Sequence, residues 1–163
     1  MKSQQRSVTD IILSLIITIL IVVMDRITKN FFSGILSLGE SLPIIKNFFH
    51  MTLVYNTGIA FGFFKDQGIV FIVIPIIAIV LLVFNIYYYR QNDEVLSRSY
   101  IVGFSLILGG AIGNLIDRIF YGHVIDFIDF RIWPVFNIAD SAITIGAILV
   151  AIKCFQLSHD KKA

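Results

Sequence analysis

Four apolar stretches constrain this chain more than anything else in it. They run from about Val8 to Thr28, Ile69 to Tyr89, Tyr100 to Phe120 and Ile138 to Phe155. Each approaches the roughly 20 apolar residues that a helix needs to cross the hydrocarbon of a bilayer. Backbone polar groups in hydrocarbon must find partners inside their own segment, so stretches of this kind are expected to be helices. The first is densely apolar only from Ile11 to Met24, a length that also suits a signal-peptide core with Lys2 and Arg6 as its basic front. No A-x-A cleavage signal follows it. The sequence passes straight into Asp25-Arg26-Ile27-Thr28-Lys29, and a retained helix is expected.

Composition narrows the class further. Of 163 residues, 57% are hydrophobic and 15% charged, against about 45–50% and 25% in soluble domains. Disordered chains are polar and charged, so disorder is excluded. Cys154 is the one cysteine, which excludes an internal disulfide scaffold; it is expected to be a buried small residue near the inner end of the last helix. A net charge of +2 without a basic stripe gives no footprint for nucleic acid. The expectation is an all-α membrane protein with four transmembrane helices, residues 1–163 forming a single integral membrane domain.

Four spans place both termini on one side. With the termini inside, Lys2, Arg6, Arg90, Arg98, Lys153, Lys161 and Lys162 are cytoplasmic, and Arg26, Lys29, Lys46, Lys65, Arg118 and Arg131 lie outside. The inner loops are shorter, so their basic density is higher, and an N-in/C-in topology is expected. The Tyr87–Arg90 run suits the inner aromatic belt and Trp133, beside Pro134, the outer one. In the first outer loop, about residues 30–68, Ile44-Ile45 and Phe48 to Tyr55 read as strands with Lys46-Asn47 as their turn. A small extracytoplasmic sheet is expected there. The second outer loop, about 121–137, is aromatic and acidic.

Ionisable residues in membrane helices are costly and are functional candidates by default. Asp25, Asp117, Arg118 and Asp140 all fall near the outer ends of their helices, and the helix middles are uncharged. This suits chemistry at the membrane surface better than passage through it. Ser105, Gly109, Gly113 and Asp117 recur every four residues and share one helix face. Small residues at that spacing permit close helix packing. On the last helix, Asn137, Asp140/Ser141, Thr144 and Ala147/Ala151 read as a similar stripe. Asp126 and Asp140 flank a short loop that brings them together. Two carboxylates sharing a site do not both ionise easily, and such a pair can position a water and move its proton. Spacing alone leaves this open, because Asp140 equally fits a helix cap or a first-turn acid. Asn56-Thr57-Gly58 fits either a turn ending an outer strand or a polar lip on a groove. His123 and Asp126, at i and i+3, are too few to make a metal site.

Five blocks together carry a resemblance. They are Asp25-Arg26-Ile27-Thr28-Lys29, Asn56-Thr57-Gly58-Ile59-Ala60-Phe61-Gly62, Gly109-Gly110-Ala111-Ile112-Gly113-Asn114-Leu115-Ile116-Asp117-Arg118, Gly122-His123-Val124-Ile125-Asp126-Phe127 and Phe136-Asn137-Ile138-Ala139-Asp140-Ser141. In order and extent the chain resembles the lipoprotein signal peptidases, or type II signal peptidases. The resemblance implies an aspartyl endopeptidase of the bacterial cytoplasmic membrane, with its site toward the extracytoplasmic face. Its implied substrate is a diacylglyceryl-modified prolipoprotein, cut just before the lipidated cysteine. It further implies a catalytic dyad of Asp126 and Asp140. Asn56, Asn114, Arg118 and Asn137 match positions that line the site or contact substrate, and Asp25, Lys29, Gly58 and Asp117 match supporting ones. A β-cradle (the Pro43–Tyr55 sheet) and a mobile loop around Thr57–Gln67 are implied too. The expected partners are this substrate and membrane lipid, with no nucleic acid, no metal and no cofactor, in a monomer. Two departures stand out: Ile59 replaces the family's usual alanine, and the segment between Asp126 and Asp140 is short. A carrier is the rival reading and would need charges at mid-depth and internal symmetry. A non-enzymatic adaptor would work through the outer sheet.

Overall fold

The structure is a computed structural model and describes residues 2–58, 73, 76, 77, 80 and 97–160. Helix α1 spans Lys2–Ile35, strands β1 and β2 span Ser41–Ile45 and Phe49–Asn56, and helix α2 spans Arg98–Tyr121. Strand β3, Val124–Asp129, and helix α3, Ile138–Asp160, complete the order. Three helical stretches are long and apolar enough to cross a membrane: Val8–Ile35, Arg98–Tyr121 and Ile138–Gln156. Of the second expected span, only Val73, Ile76, Ile77 and Val80 are described, each helical; its remainder lies outside the described residues, as do Tyr87–Arg90, Ile59 and most of the expected loop.

Helix α1 runs seven residues beyond the expected end at Thr28. The charges that suggested a boundary are accommodated within the helix, where Lys29 pairs with Asp25 one turn earlier. Phe32 and Leu36 then pack with Leu53, Ile125 and Met51, and Phe32 stacks on Phe127 with ring centroids 4.6 Å apart. This apolar cluster fixes the end of α1 beneath the sheet. Elsewhere α1 keeps Leu15, Ile19, Val23, Ile27 and Phe31 exposed, as suits a helix surrounded by lipid.

The hairpin forms where expected. Asn47 takes φ 61 at the turn, a left-handed conformation that asparagine tolerates. Strand β3 was not foreseen. The sheet order is β1-β2-β3, so the sheet of the first outer loop takes its third strand from the second. The sequence hides β3 because five of its six residues are buried, which erases the alternation of a half-exposed strand. Gly122 makes the strand possible. It ends α2 at φ 75, with its N–H donating to Arg118 O, and turns the chain back at once.

Helix α2 lies between α1 and α3. Its Ser105, Gly109, Gly113 and Asp117 face is buried, as the four-residue spacing predicts. A Cβ on Gly109 would stand 2.8 Å from Ile21 Cβ, and one on Gly110 would stand 2.3 Å from Ala139 O. Only glycine allows approaches this close. The stripe expected on α3 is corrected: Thr144, Ala147 and Ala151 are exposed, and Asn137, Ala139, Ala142 and Gly146 form the buried line. Thr144 can face outward because its hydroxyl donates to Asp140 O within the helix, at 2.9 Å. Cys154 is likewise exposed rather than buried, with its Sγ 2.9 Å from the Tyr100 hydroxyl.

Candidate active site

The polar residues singled out in the sequence, joined by Arg26, come from five elements, and all but Arg118 meet in one connected network. Helix α1 brings Asp25, Arg26 and Lys29, and α2 brings Asn114, Asp117 and Arg118. Asn56 ends β2, Asp126 lies on β3, and Asn137 and Asp140 open α3. Asp25, Lys29, Asp117 and Asn137 are fully buried, and Asp126 is 1% exposed.

One half of the network is ionic. Lys29 Nζ lies 2.7 Å from Asp25 Oδ2 and 2.8 Å from Asp117 Oδ2. Arg26 pairs with the other oxygen of Asp117. The same carboxylates hold the backbone together. Asp25 Oδ1 accepts from the Ala139 N–H at the start of α3, at 3.0 Å, and Asp117 Oδ2 accepts from the Ile125 N–H of β3, at 3.1 Å. A helix start has unpaired N–H groups and favours a negative partner, so Asp25 ties α1 to α3. Arg26 is the residue that sequence reasoning missed. Its signal was its place within the Asp25–Lys29 block.

The other half uses amides. Asn56 Nδ2 donates to Asp126 Oδ2 at 3.0 Å, and Asn137 Nδ2 donates to Asp126 Oδ1 at 2.7 Å. Asn114 Nδ2 donates to Asp140 Oδ1 at 2.7 Å. In each asparagine the oxygen faces a group that can only donate. Asn56 Oδ1 accepts from the Gly58 N–H at 2.9 Å, and Asn137 Oδ1 accepts from the Asp140 N–H at 2.8 Å. Asn114 Oδ1 accepts from Lys29 Nζ at 3.0 Å and from Asn137 Nδ2 at the same distance. The oxygens being engaged, the NH₂ groups are turned toward the carboxylates.

Asn137 touches both acids. It caps α3 with its side chain, while Asp140 Oδ2 accepts from the Asn137 N–H at 3.3 Å, a reciprocal pair of the capping-box kind. The two sequence readings of Asp140 are therefore compatible: it is a first-turn acid and also a neighbour of Asp126. Gly58, at φ 78, closes the turn that ends β2 and orients Asn56. Arg118 acts at longer range on Asp140, Asp126 and Asp117 through its charge.

Burial pushes the Asp126 carboxyl up to about 7, and the charge of Asp140 adds to the rise, against lowering by Asn56, Asn137 and Lys29. A third acid behaves oppositely. Burial acts to raise Asp129, but Thr52, the Arg131 N–H and the Arg131 guanidinium outweigh it and hold that carboxyl below the usual range. Thr52 Oγ1 donates to Asp129 at 2.7 Å and is linked through Ser41 to His50. This chain crosses the sheet beside the main network. His123 lies apart from both, stacked on Tyr55 with centroids 4.1 Å apart. Among the described residues, no group of three or more His, Cys, Asp or Glu is placed to hold a metal ion.

The family model for signal peptidase (SPase) II matches residues 17–156, nearly the whole of the chain that carries this network. The chain belongs to the signal peptidase II family. A lipoprotein signal peptidase of Halothermothrix orenii is 43% identical over 86% of this chain and 94% of its own length. Another, of Moorella thermoacetica, is 41% identical over 88% and 91%. A bacterial membrane enzyme solved by the in meso method superposes with a TM-score of 0.79 at 36% identity, over 91% of this chain and 90% of that one. Family membership and the three apolar helices make the chain a bacterial membrane protein and a hydrolase of the peptidase class.

Proposed function

We propose that this chain is an aspartyl endopeptidase that removes the signal peptide from diacylglyceryl-modified prolipoproteins, cutting just before the lipidated cysteine. In this reading residues 1–163 act as one domain of four transmembrane helices, N-in/C-in. The site opens toward the extracytoplasmic face of the cytoplasmic membrane. The observation that carries the reading is a pair of carboxylates held, among the described residues, by amide and backbone donors and bridged by Asn137, one of them brought to about 7.

Asp126 and Asp140 are the catalytic dyad. We assign the proton of the dyad to Asp126, because burial and the neighbouring charge push its carboxyl up to about 7. Asp140, at the first turn of α3 and served by Asn114, takes the proton of the attacking water. The water oxygen bonds to the scissile carbonyl carbon while Asp126 gives its proton to the carbonyl oxygen. Collapse of the tetrahedral intermediate breaks the C–N bond: the proton held by Asp140 passes to the departing amine of the lipidated cysteine, and a hydroxyl of the intermediate returns its proton to Asp126 as the new carbonyl forms. Asn56, beside Asp126 at an exposed strand end, and Arg118 line the substrate side. A lipid-anchored substrate reaches such a site by diffusing in the plane of the membrane.

The test is a gel-shift assay of a diacylglyceryl-modified precursor with purified wild type, Asp126→Asn and Asp140→Asn. Each variant is expected to fold and to lose cleavage by roughly 10²-fold to 10⁴-fold, the range for a positioned acid or base. Undiminished processing by either variant would overturn the assignment.

A further inference from the structure

We propose that Lys29 is a positioning residue for the reaction: it fixes which way the Asn114 amide faces, and so keeps an N–H donor on Asp140. The proposal rests on the dyad reading above and adds to it. Lys29 is fully buried and its ammonium touches Asp25, Asp117 and Asn114. The first two contacts balance charge. The third, at 3.0 Å, does something different. An ammonium carries three donors and no acceptor, so whichever end of the Asn114 amide faces it must be the oxygen. The NH₂ is then turned the other way, and it meets Asp140 Oδ1 at 2.7 Å.

Without that donor the Asn114 amide has a second arrangement. Its Nδ2 can turn toward the acidic pair Asp25 and Asp117, presenting Oδ1 to Asp140. Two acceptors would then face each other, and the water-activating carboxylate would lose its placement. Asn137 does not fix Asn114 to the same degree, because its NH₂ has two hydrogens for three acceptors, Asn114 Oδ1, Ile125 O and Asp126 Oδ1. Lys29 reaches the reaction through one intervening side chain and touches neither carboxylate of the dyad.

Lys29→Met and Lys29→Gln separate this role from charge balance. Both remove the cation and share whatever folding cost that brings, but glutamine still offers an N–H to Asn114 Oδ1. With a diacylglyceryl-modified precursor, Lys29→Met is expected to show a kcat roughly tenfold below that of Lys29→Gln at similar KM, the scale on which misplacement of a reacting group acts. Equal kcat in the two variants overturns the proposal. Where neither variant folds, Asn114→Asp decides it with Lys29 retained and paired. Its carboxylate still accepts from Lys29 but has no N–H for Asp140, so kcat is expected to fall roughly tenfold at similar KM. An unchanged kcat overturns the proposal. Asp126→Asn, run alongside, keeps the two readings apart: if it still cleaves, the dyad assignment itself has failed.

Discussion

Two pairs of carboxylates sit side by side in this protein and are treated in opposite ways. Asp25 and Asp117 share Lys29, and Asp117 also takes Arg26. Asp126 and Asp140 have asparagine and backbone N–H donors, and no cation within ion-pair distance among the described residues. All four lie within one network, so burial alone does not distinguish them. The choice of partner does. A cation at contact distance makes a carboxylate one member of an ion pair that ties helices together. An amide dipole orients a carboxylate without supplying a counter-charge. On the proposed reading, the fold separates carboxylates for structure from carboxylates for chemistry by the residues placed one contact away.

The strongest way to break this comparison is to make the same substitution in both pairs. Asp117→Asn leaves Lys29 and Arg26 buried or half-buried with less counter-charge. Breaking one partner of a buried ion pair costs roughly 3–5 kcal/mol, and thermal unfolding in detergent is expected to show a loss of that size, with cleavage reduced but measurable. Asp126→Asn should do the reverse: cleavage abolished, without the loss of stability that a broken buried ion pair brings. If Asp117→Asn proved fully stable and inactive, the division between structural and chemical pairs would be misplaced.

The second effect is a pH dependence with a definite sign. An unfolded aspartate loses its proton near 3.8, whereas Asp126 in the fold holds it to about 7. Between those values the folded state binds more protons than the unfolded one, so this group makes stability fall as pH rises. Asp126→Asn lacks the dependence. The melting temperature of wild type relative to Asp126→Asn is therefore expected to drop between about pH 4 and 7 and to level off above. A difference that stays flat across that window would mean that Asp126 ionises normally in the fold.

Three of the four expected helices and the hairpin were legible in the sequence because they rest on local patterns: long apolar runs, and an asparagine turn between β-branched and aromatic residues. The site was legible in its membership, since Asp25, Lys29, Asn56, Asn114, Asp117, Asp126, Asn137 and Asp140 all meet in the structure. Its wiring was not. Which acid takes a cation and which an amide depends on the approach of α1 to α2 at Gly109 and Gly113, a tertiary fact. Strand β3 was hidden because burial on both faces removes the period-two signal. The buried line of α3 was misread because Thr144 satisfies its own hydroxyl, so a polar residue there did not mark the packed face.

Asp129 sharpens the comparison most finely, because it is an acid outside both pairs that combines the two kinds of partner. It takes a hydroxyl from Thr52 and a guanidinium from Arg131, the latter at 3.1 Å and about half exposed. If a cationic partner removes a carboxylate from chemistry, Asp129 belongs with the structural acids even though it shares β3 with Asp126. Thr52→Val deletes the hydroxyl and keeps the shape. The cost is the loss of one hydrogen bond to a charged acceptor, about 1.5–3 kcal/mol at most and less where water reaches Asp129. A melting experiment should register that small loss, and kcat with the lipidated precursor should stay at the wild-type value. A fall in kcat without a change in melting would instead join Asp129 to the reacting pair, and the rule drawn from the two pairs would not extend along the strand.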